Sequence, residues 1–136
     1  MQVDHLIGDS HRIQQWMHER SGLPIARDFH GIARERNGRI IAAFGYDYFQ
    51  PTSCSLHVCV DTPDAINRSL LSKGFEVPFI QWGFTSLFCV IQMTNKKSLN
   101  IAARLGFEEV GVIPDALWFG VLWRDKCRWL KLAERV

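Results

Sequence analysis

The sequence has no apolar stretch long enough to cross a membrane as a helix. Its longest largely apolar segment, residues 84–93, is about half of the roughly 20 residues that such a helix needs. Residues 1–9 contain neither the basic start nor the apolar segment of a secretion signal. We therefore expect a cytoplasmic protein with no membrane partner.

Strong charge of either sign is also missing. The formal net charge is +2 and the sequence pI is about 8.4. So small an excess of positive charge does not indicate a nucleic-acid partner. The tryptophans lack the interleaved basic residues that a single-strand binder needs. No nucleic-acid partner is expected, although small anions can still bind.

The few cysteines show neither a disulfide framework nor the spacing of a metal site. They lie in or beside predicted strands, where reduced cysteines pack as small apolar residues. We expect them to pack in the core and to bind no metal: Cys54, Cys59, Cys89 and Cys127.

The 136 residues suffice for one domain with a real core, since chains of this size bury about 70% of their unfolded surface. The pattern predicts a single α/β domain over residues 1–136, a mixed sheet with helices on both faces. The first expected element is a helix over 11–21 capped by Ser10. Strands over 29–36 and 39–48 follow, joined by a type I′ turn at Asn37 and Gly38. The remaining elements are a strand over 54–60, a helix starting at Thr62 and Pro63, a strand over 84–93, a helix between Asn95 and Gly106, and a strand over 107–112.

The end of the second predicted helix is ambiguous. Gly74, with Pro78 close behind, indicates a stop. The apolar periodicity nevertheless continues through Phe75, Phe79 and Trp82. We favour a longer, kinked helix to about residue 82.

Residues 84–111 carry the most specific pattern in the chain. A strand is followed by Asn95-x-x-Ser98, a helix, Leu105-Gly106-Phe107 and then Glu108-x-x-Gly111. This succession resembles the GNAT family of acetyl-CoA-dependent N-acetyltransferases, especially the branch that modifies the N-termini of ribosomal proteins. The segment WFGVLWRDKCRWL, residues 118–130, further resembles small GNAT proteins of tailed bacteriophages.

The resemblance implies the GNAT acyl-CoA N-acyltransferase fold, acetyl-CoA as co-substrate and a primary amine of a protein or small molecule as acceptor. The strand-helix-strand order, with a right-handed crossover, predicts that the strands over 54–60 and 84–93 are parallel neighbours, which splay apart at their C-terminal ends. The residues that the resemblance implies for acetyl-CoA are the backbone amides of Cys59 and Val60 for pantetheine, Asp61, Thr62, Asn67 and Arg68 for the pyrophosphate, and Asn95, Lys97 and Ser98 at the next helix start.

The turn after residue 60 departs from the family pattern. There the family carries Arg/Gln-x-x-Gly-x-Gly/Ala, whereas residues 61–65 contain no glycine and add the carboxylates of Asp61 and Asp64. We expect weaker acetyl-CoA binding as a result. These carboxylates can also simply compensate a helix dipole, and Lys96 and Lys97 form either a phosphate clamp or a solvated face.

His57 is the predicted catalytic residue. Amine attack needs a base, and imidazole titrates near neutrality. We expect His57 to point into the cleft, although it can instead be a structural strand histidine. Ala102 occupies the position where many family members have a tyrosine acid. Tyr46 and Tyr48 are expected to cover the core edge rather than to donate to a thiolate.

One further alternative is a GNAT-fold protein that has lost transfer and binds a partner protein. Ala102 and the turn without glycine favour this alternative. A tryptophan stripe at Trp118, Trp123 and Trp129 also makes a homodimer possible.

Overall fold

The structure, a computed structural model, describes residues 3–133. Within these residues seven strands form one mixed sheet in the order β1-β2-β3-β4-β5-β7-β6. The strands are β1 (Asp4–Ile7), β2 (His30–Arg36), β3 (Arg39–Asp47), β4 (Ser53–Val60), β5 (Ser86–Gln92), β6 (Glu108–Ile113) and β7 (Leu117–Trp123). The helices are α1 (Ser10–Ser21), α2 (Arg68–Glu76), α3 (Lys96–Leu105) and α4 (Arg128–Ala133).

Helices cover both faces of the sheet. On one face, Ile13 and Met17 of α1 pack with Ala33, Ile40 and Ala43. The opposite face carries a larger cluster that joins Phe44 to buried residues of the other three helices, among them Leu70, Phe75, Ala102, Leu105 and Leu130. Because successive strand residues point to opposite faces, the neighbours Ala43 and Phe44 fall in different clusters. The predicted fold class is confirmed.

Two local signals in the sequence act as predicted. Asn37 and Gly38 both have positive φ, 51° and 83°, as a type I′ hairpin turn requires. At α3, the Asn95 side chain accepts a hydrogen bond from the Ser98 amide at 3.1 Å, and Gly106 ends the helix with a φ of 101°.

The predicted start of the second helix at Thr62 is wrong. Pro63–Ala65 form one 3₁₀ turn, and α2 begins only at Arg68, where the Asn67 side chain accepts from the Leu70 amide at 2.9 Å. The buried Arg34 of β2 donates a hydrogen bond to the Ala65 carbonyl at 2.9 Å. This carbonyl is therefore bonded to a side chain of the sheet. Ile66 is extended, which separates the turn from the helix.

The longer second helix is confirmed. It runs through Gly74 to Glu76 and continues in a π-helical turn, Val77–Gln81. Gly74 lies inside the helix and does not end it. It has no side chain, so the ring of Phe44 can pack closely against the helix at this position. A Cβ on this residue would lie 2.3 Å from a ring carbon of Phe44.

Two features at the start of the chain were not predicted. β1 pairs antiparallel with β2, and its Asp4 forms two hydrogen bonds with Arg34, at 3.0 Å and 2.7 Å. The cap of α1 is Asp9, which accepts from the Arg12 amide at 3.1 Å, and not Ser10. The Ser10 hydroxyl instead accepts from the Gly31 amide at 3.0 Å, so it fixes the helix to the sheet.

None of the helices in the part of the chain that the structure describes is long and apolar enough to cross a membrane.

Candidate functional site

The candidate site is a cleft between β4 and β5. The two strands are parallel neighbours and pair only at their starts, Ser53 with Ser86, Cys54 with Leu87 and Ser55 with Phe88. Beyond these pairs they separate, as predicted, and leave a cleft of about 340 Å³. Residues from α1, the connector after it, both strands and α3 line this cleft. It therefore opens to both faces of the sheet.

The backbone of β4 presents unpaired amides to the cleft. The Asp61 amide donates to the Ile41 carbonyl at 2.9 Å, and the register with β3 is unbroken from Val60 to Ser55. Since bonding alternates along an antiparallel pair, the Cys59 amide is also directed at β3. The amides of Val58 and Val60 face the opposite way, into the cleft. Of the two amides predicted to bind pantetheine, only that of Val60 faces the cleft, and the amide of Val58, which was not among the predicted residues, faces it as well.

His57 lines the cleft and forms a pair with a carboxylate. Its Nε2 lies 2.7 Å from an oxygen of Asp47 and 3.4 Å from the Ser55 hydroxyl. The His57 side chain is 30% exposed and that of Asp47 14%. When Nε2–H donates to the carboxylate, Nδ1 keeps a lone pair. The pair can thus hold an imidazole in one tautomer and stabilise it when it takes a proton.

Asp47 was not identified from the sequence. It is the last residue of β3, lies opposite Ser55 and shares a face of the sheet with His57. The short connection between β3 and β4 carries a signal for this arrangement, because strand pairing across it places Asp47 one diagonal step from His57.

The start of α3 contributes to the opposite side of the cleft. Asn95, Ser98 and Ala102 line it, and Ser98 and Ala102 are four residues apart on one helix face. Lys97 is exposed and lies close enough to β4 to act on Cys59. Burial raises the pKa of the Cys59 thiol, while Arg20 and Lys97 oppose that rise.

The residues of the turn after β4 do not converge on one point. Asp61 forms an ion pair with Arg20 at 2.5 Å, which ties it to α1. Thr62 is turned toward Asp64, and its hydroxyl donates to that carboxylate at 2.6 Å. This hydrogen bond is the main reason why the pKa of Asp64 is lowered, with smaller contributions from Arg36 and Arg34.

The start of α2 presents one exposed cation next to its cap. Arg68 is exposed, while the Asn67 side chain is engaged as the helix cap. Arg68 and the first amides of α2 are therefore the groups at this end that an anion can reach.

Tyr46 does not cover the core edge as expected. It is fully buried, and its hydroxyl donates to the Gly74 carbonyl. Burial raises its pKa well above the ordinary value. Tyr48, in contrast, is 73% exposed. The hydroxyl of Tyr46 is therefore committed to α2 and cannot reach a leaving thiolate.

All the cysteines have free thiols, and Cys54, Cys89 and Cys127 are buried, which agrees with the predicted packing role. Cys89 also lines the cleft. Burial raises its pKa to about 12, above the range of an ordinary thiol. It is therefore a weaker acid than the thiol that an acyl transfer would release.

The sheet order with its splayed parallel pair is the GNAT fold. No protein-family model matches the sequence, and no curated protein matches it either. Solved structures do resemble it, and among them are spermidine N-acetyltransferases called SpeG from Vibrio cholerae. A mutant form of this spermidine/spermine N-acetyltransferase has a TM-score of 0.70 and 11% identity, covering 96% of this chain and 99% of that one.

Two more structures of the same enzyme agree. The complex with manganese ions has a TM-score of 0.66 and 11% identity, covering 90% of this chain and 94% of that one. A dodecameric structure has a TM-score of 0.64 and 11% identity, covering 90% and 95%. At this identity the similarity establishes the fold.

Proposed function

We propose that the protein is an N-acetyltransferase that moves an acetyl group from acetyl-CoA to a primary amine. The separation of β4 from β5 carries the proposal, because it leaves the amides of Val58 and Val60 without strand partners. A buried strand normally satisfies such donors. An extended chain with carbonyl groups, such as pantetheine, satisfies them when it lies beside β4.

Acetyl-CoA, when bound, supplies the activated acetyl thioester. The residues that would hold it fit both of its ends. Val58 and Val60 offer amides to the pantetheine arm, and Asn95 and Ser98 line the α3 side of the cleft. Toward the phosphates, the start of α2 offers its first amides and Arg68, and a helix N-terminus favours anions. Lys97 adds a second cation.

The acetyl group must be accepted by an uncharged amine. His57 takes a proton from the amine, and Asp47 holds the imidazole in place and stabilises its charged form. The amine nitrogen then forms the amide bond as the carbon–sulfur bond breaks. Asp47 is therefore a positioning residue, and His57 is the proposed general base.

The departing thiolate also needs a proton. Ala102 carries no hydroxyl, and Tyr46 and Cys89 are poor donors for the reasons given above. Ser98 lies one helical turn before Ala102 on the same face and lines the cleft. We assign it the role of hydrogen-bond donor to the sulfur, while water relays to the thiolate the second proton that the nitrogen loses as the amide forms.

The nature of the acceptor is suggested only in part by the comparisons. The similar structures described above are named for spermidine, which is an amine, and this supports amine acetylation by the present chain. The resemblance to the ribosomal-protein branch also keeps a peptide N-terminus among the candidate acceptors.

Two measurements test the proposal. Titration calorimetry with acetyl-CoA should show binding to one site per chain. Release of CoA thiol with an amine acceptor should then fall by about 10² or more in His57→Gln, since a general base contributes about this much. Asp47→Asn should lower turnover less and shift its pH profile, while acetyl-CoA affinity stays unchanged in both variants.

His11→Gln serves as a matched control, because His11 is exposed and does not line the cleft. It should retain full turnover. If acetyl-CoA does not bind, the transferase proposal fails and the partner-binding alternative gains support. If His57→Gln binds acetyl-CoA and turns over normally, the base assignment alone is wrong.

A further inference from the structure

We infer that the acceptor carries a single amine on an uncharged, largely apolar body, and is not a polyamine. This inference rests on the proposed function and specifies its second substrate. It derives from the walls and charges of the cleft on the side that α1 covers.

The α1 side of the cleft is the side of the proposed base. Phe88 pairs with Ser55 in the parallel register, so Val90 shares a face of the sheet with His57 by the period of two. Met17, Leu23 and Pro24 line the same cleft from α1 and the connector that follows it. An amine that reaches His57 therefore passes these apolar side chains, with Ser21 and Gln92 as the polar residues of the same wall.

The carboxylates of Asp47 and Asp61 already have side-chain partners. None of the described residues that line it is aspartate or glutamate. Asp47 is bonded to His57, and Asp61 is bonded to Arg20. A second ammonium group on the acceptor would have to give up water without gaining a carboxylate partner, which is costly.

An acceptor with only one amine avoids this desolvation cost. His57 removes its proton, so the reacting nitrogen is uncharged in the cleft. The rest of the molecule gains from contact with Met17, Leu23 and Val90 if it is apolar. The same chemistry is offered by a small alkylamine and by a peptide whose first residues are uncharged and apolar.

The test compares pentylamine with 1,4-diaminobutane, which has the same number of heavy atoms but ends in a second amine. Spermidine and the peptide amide Ala-Val-Ala-Leu complete the set. The value of kcat/KM is measured by thiol release and corrected for the fraction of uncharged amine. The kcat/KM of pentylamine or of the peptide should exceed that of both polyamines by at least about tenfold. This factor is smaller than the one that the full cost of an unpaired buried charge would produce.

A pair of variants tests the cause of the selectivity. Val90 is 46% exposed, so a polar side chain is tolerated there. Val90→Glu adds a carboxylate on the His57 side, and Val90→Gln has the same shape without charge. The ratio of 1,4-diaminobutane to pentylamine activity should rise severalfold in Val90→Glu relative to Val90→Gln.

Efficient use of spermidine or 1,4-diaminobutane by the wild-type protein would overturn the inference and leave the transferase proposal intact. Equal ratios in the two Val90 variants would also overturn it, because the acceptor would not extend along this wall. Binding of acetyl-CoA without acetylation of any of these acceptors would instead remove the transferase proposal, and this inference with it.

Discussion

At the scale of single residues, the buried hydroxyl of Tyr46 distinguishes a structural tyrosine from a catalytic one. Tyr46→Phe leaves the Gly74 carbonyl without its donor, so the free energy of unfolding should fall by about 1–3 kcal/mol. Turnover should not change at temperatures where the variant is folded. Denaturant unfolding and thiol-release kinetics measure the two effects.

Tyr48→Phe is the control for this prediction, since Tyr48 is 73% exposed. It should change neither stability nor turnover. A large loss of turnover in Tyr46→Phe with unchanged stability would contradict the structural role and make this hydroxyl a proton donor.

Asp4 gives a prediction for the dependence of stability on pH. The hydrogen bond from Arg34 is the largest reason why the pKa of Asp4 falls to about 2, from the usual 3.8. The folded state thus binds fewer protons than the unfolded state between these values. The contribution of Asp4 to stability is fully present above about pH 4 and is lost as the pH falls toward 2.

Asp4→Asn should therefore be less stable than wild type at pH 7 and should approach it in stability near pH 2. Denaturant unfolding over this pH range measures the difference. Asp115→Asn, on an exposed turn, should follow the wild-type curve. A constant difference between wild type and Asp4→Asn at every pH would contradict the assignment.

At the scale of elements, the sequence predicts those parts whose signals are local. The turn at Asn37 and Gly38 and the helix between Asn95 and Gly106 depend on capping and φ preferences within a few residues. The start of α2 depends instead on Arg34 of the distant strand β2, which donates a hydrogen bond to the Ala65 carbonyl. Gly74 looked like a stop because nothing in the sequence indicates that Phe44 packs against it.

The candidate site shows the same division. His57, Asn95 and Ser98 were predicted, and they line the cleft. The orientation of the Val58 and Cys59 amides and the partner of His57 depend on the register of β4 against β3. Composition and periodicity do not determine that register to a single residue.

The ion pair between Arg20 and Asp61 links α1 to the end of β4 and gives a prediction at this scale. Without the carboxylate, Arg20 is released and the repulsion of phosphate is reduced. Asp61→Asn should therefore tighten acetyl-CoA by about two- to fivefold at low salt, the range expected for an exposed pair. Calorimetry at low and high salt measures the gain, which screening should reduce.

Asp64→Asn is the matched control, because Asp64 is bonded to Thr62 and its nearby cations are Arg34 and Arg36. It should change acetyl-CoA affinity little. If Asp64→Asn has the larger effect, the phosphates lie on the β2 side of the turn and not beside Arg20.

At the scale of the whole molecule, the cleft divides the sheet into two parts, β1 to β4 and β5 to β7. The sheet hydrogen bonds between them are confined to the three residue pairs at the starts of β4 and β5. Helix α2 connects the two strands and packs in the larger core. A ligand along β4 would therefore complete the hydrogen bonding at the centre of the sheet.

Amide hydrogen exchange tests this view of the sheet. The amides of His57 and Cys59 are bonded to β3 and should exchange slowly in the free protein. Those of Val58 and Val60 face the cleft, so they should exchange fast although they lie in the same strand. Saturation with acetyl-CoA should slow amide exchange at Val58 and Val60 by at least about tenfold, because exchange requires the new hydrogen bond to open. Exchange at His57 and Cys59 should not change.

Slow exchange at all four positions before acetyl-CoA is added would mean that the cleft is closed in solution. Protection confined to α2 would place the ligand outside the cleft.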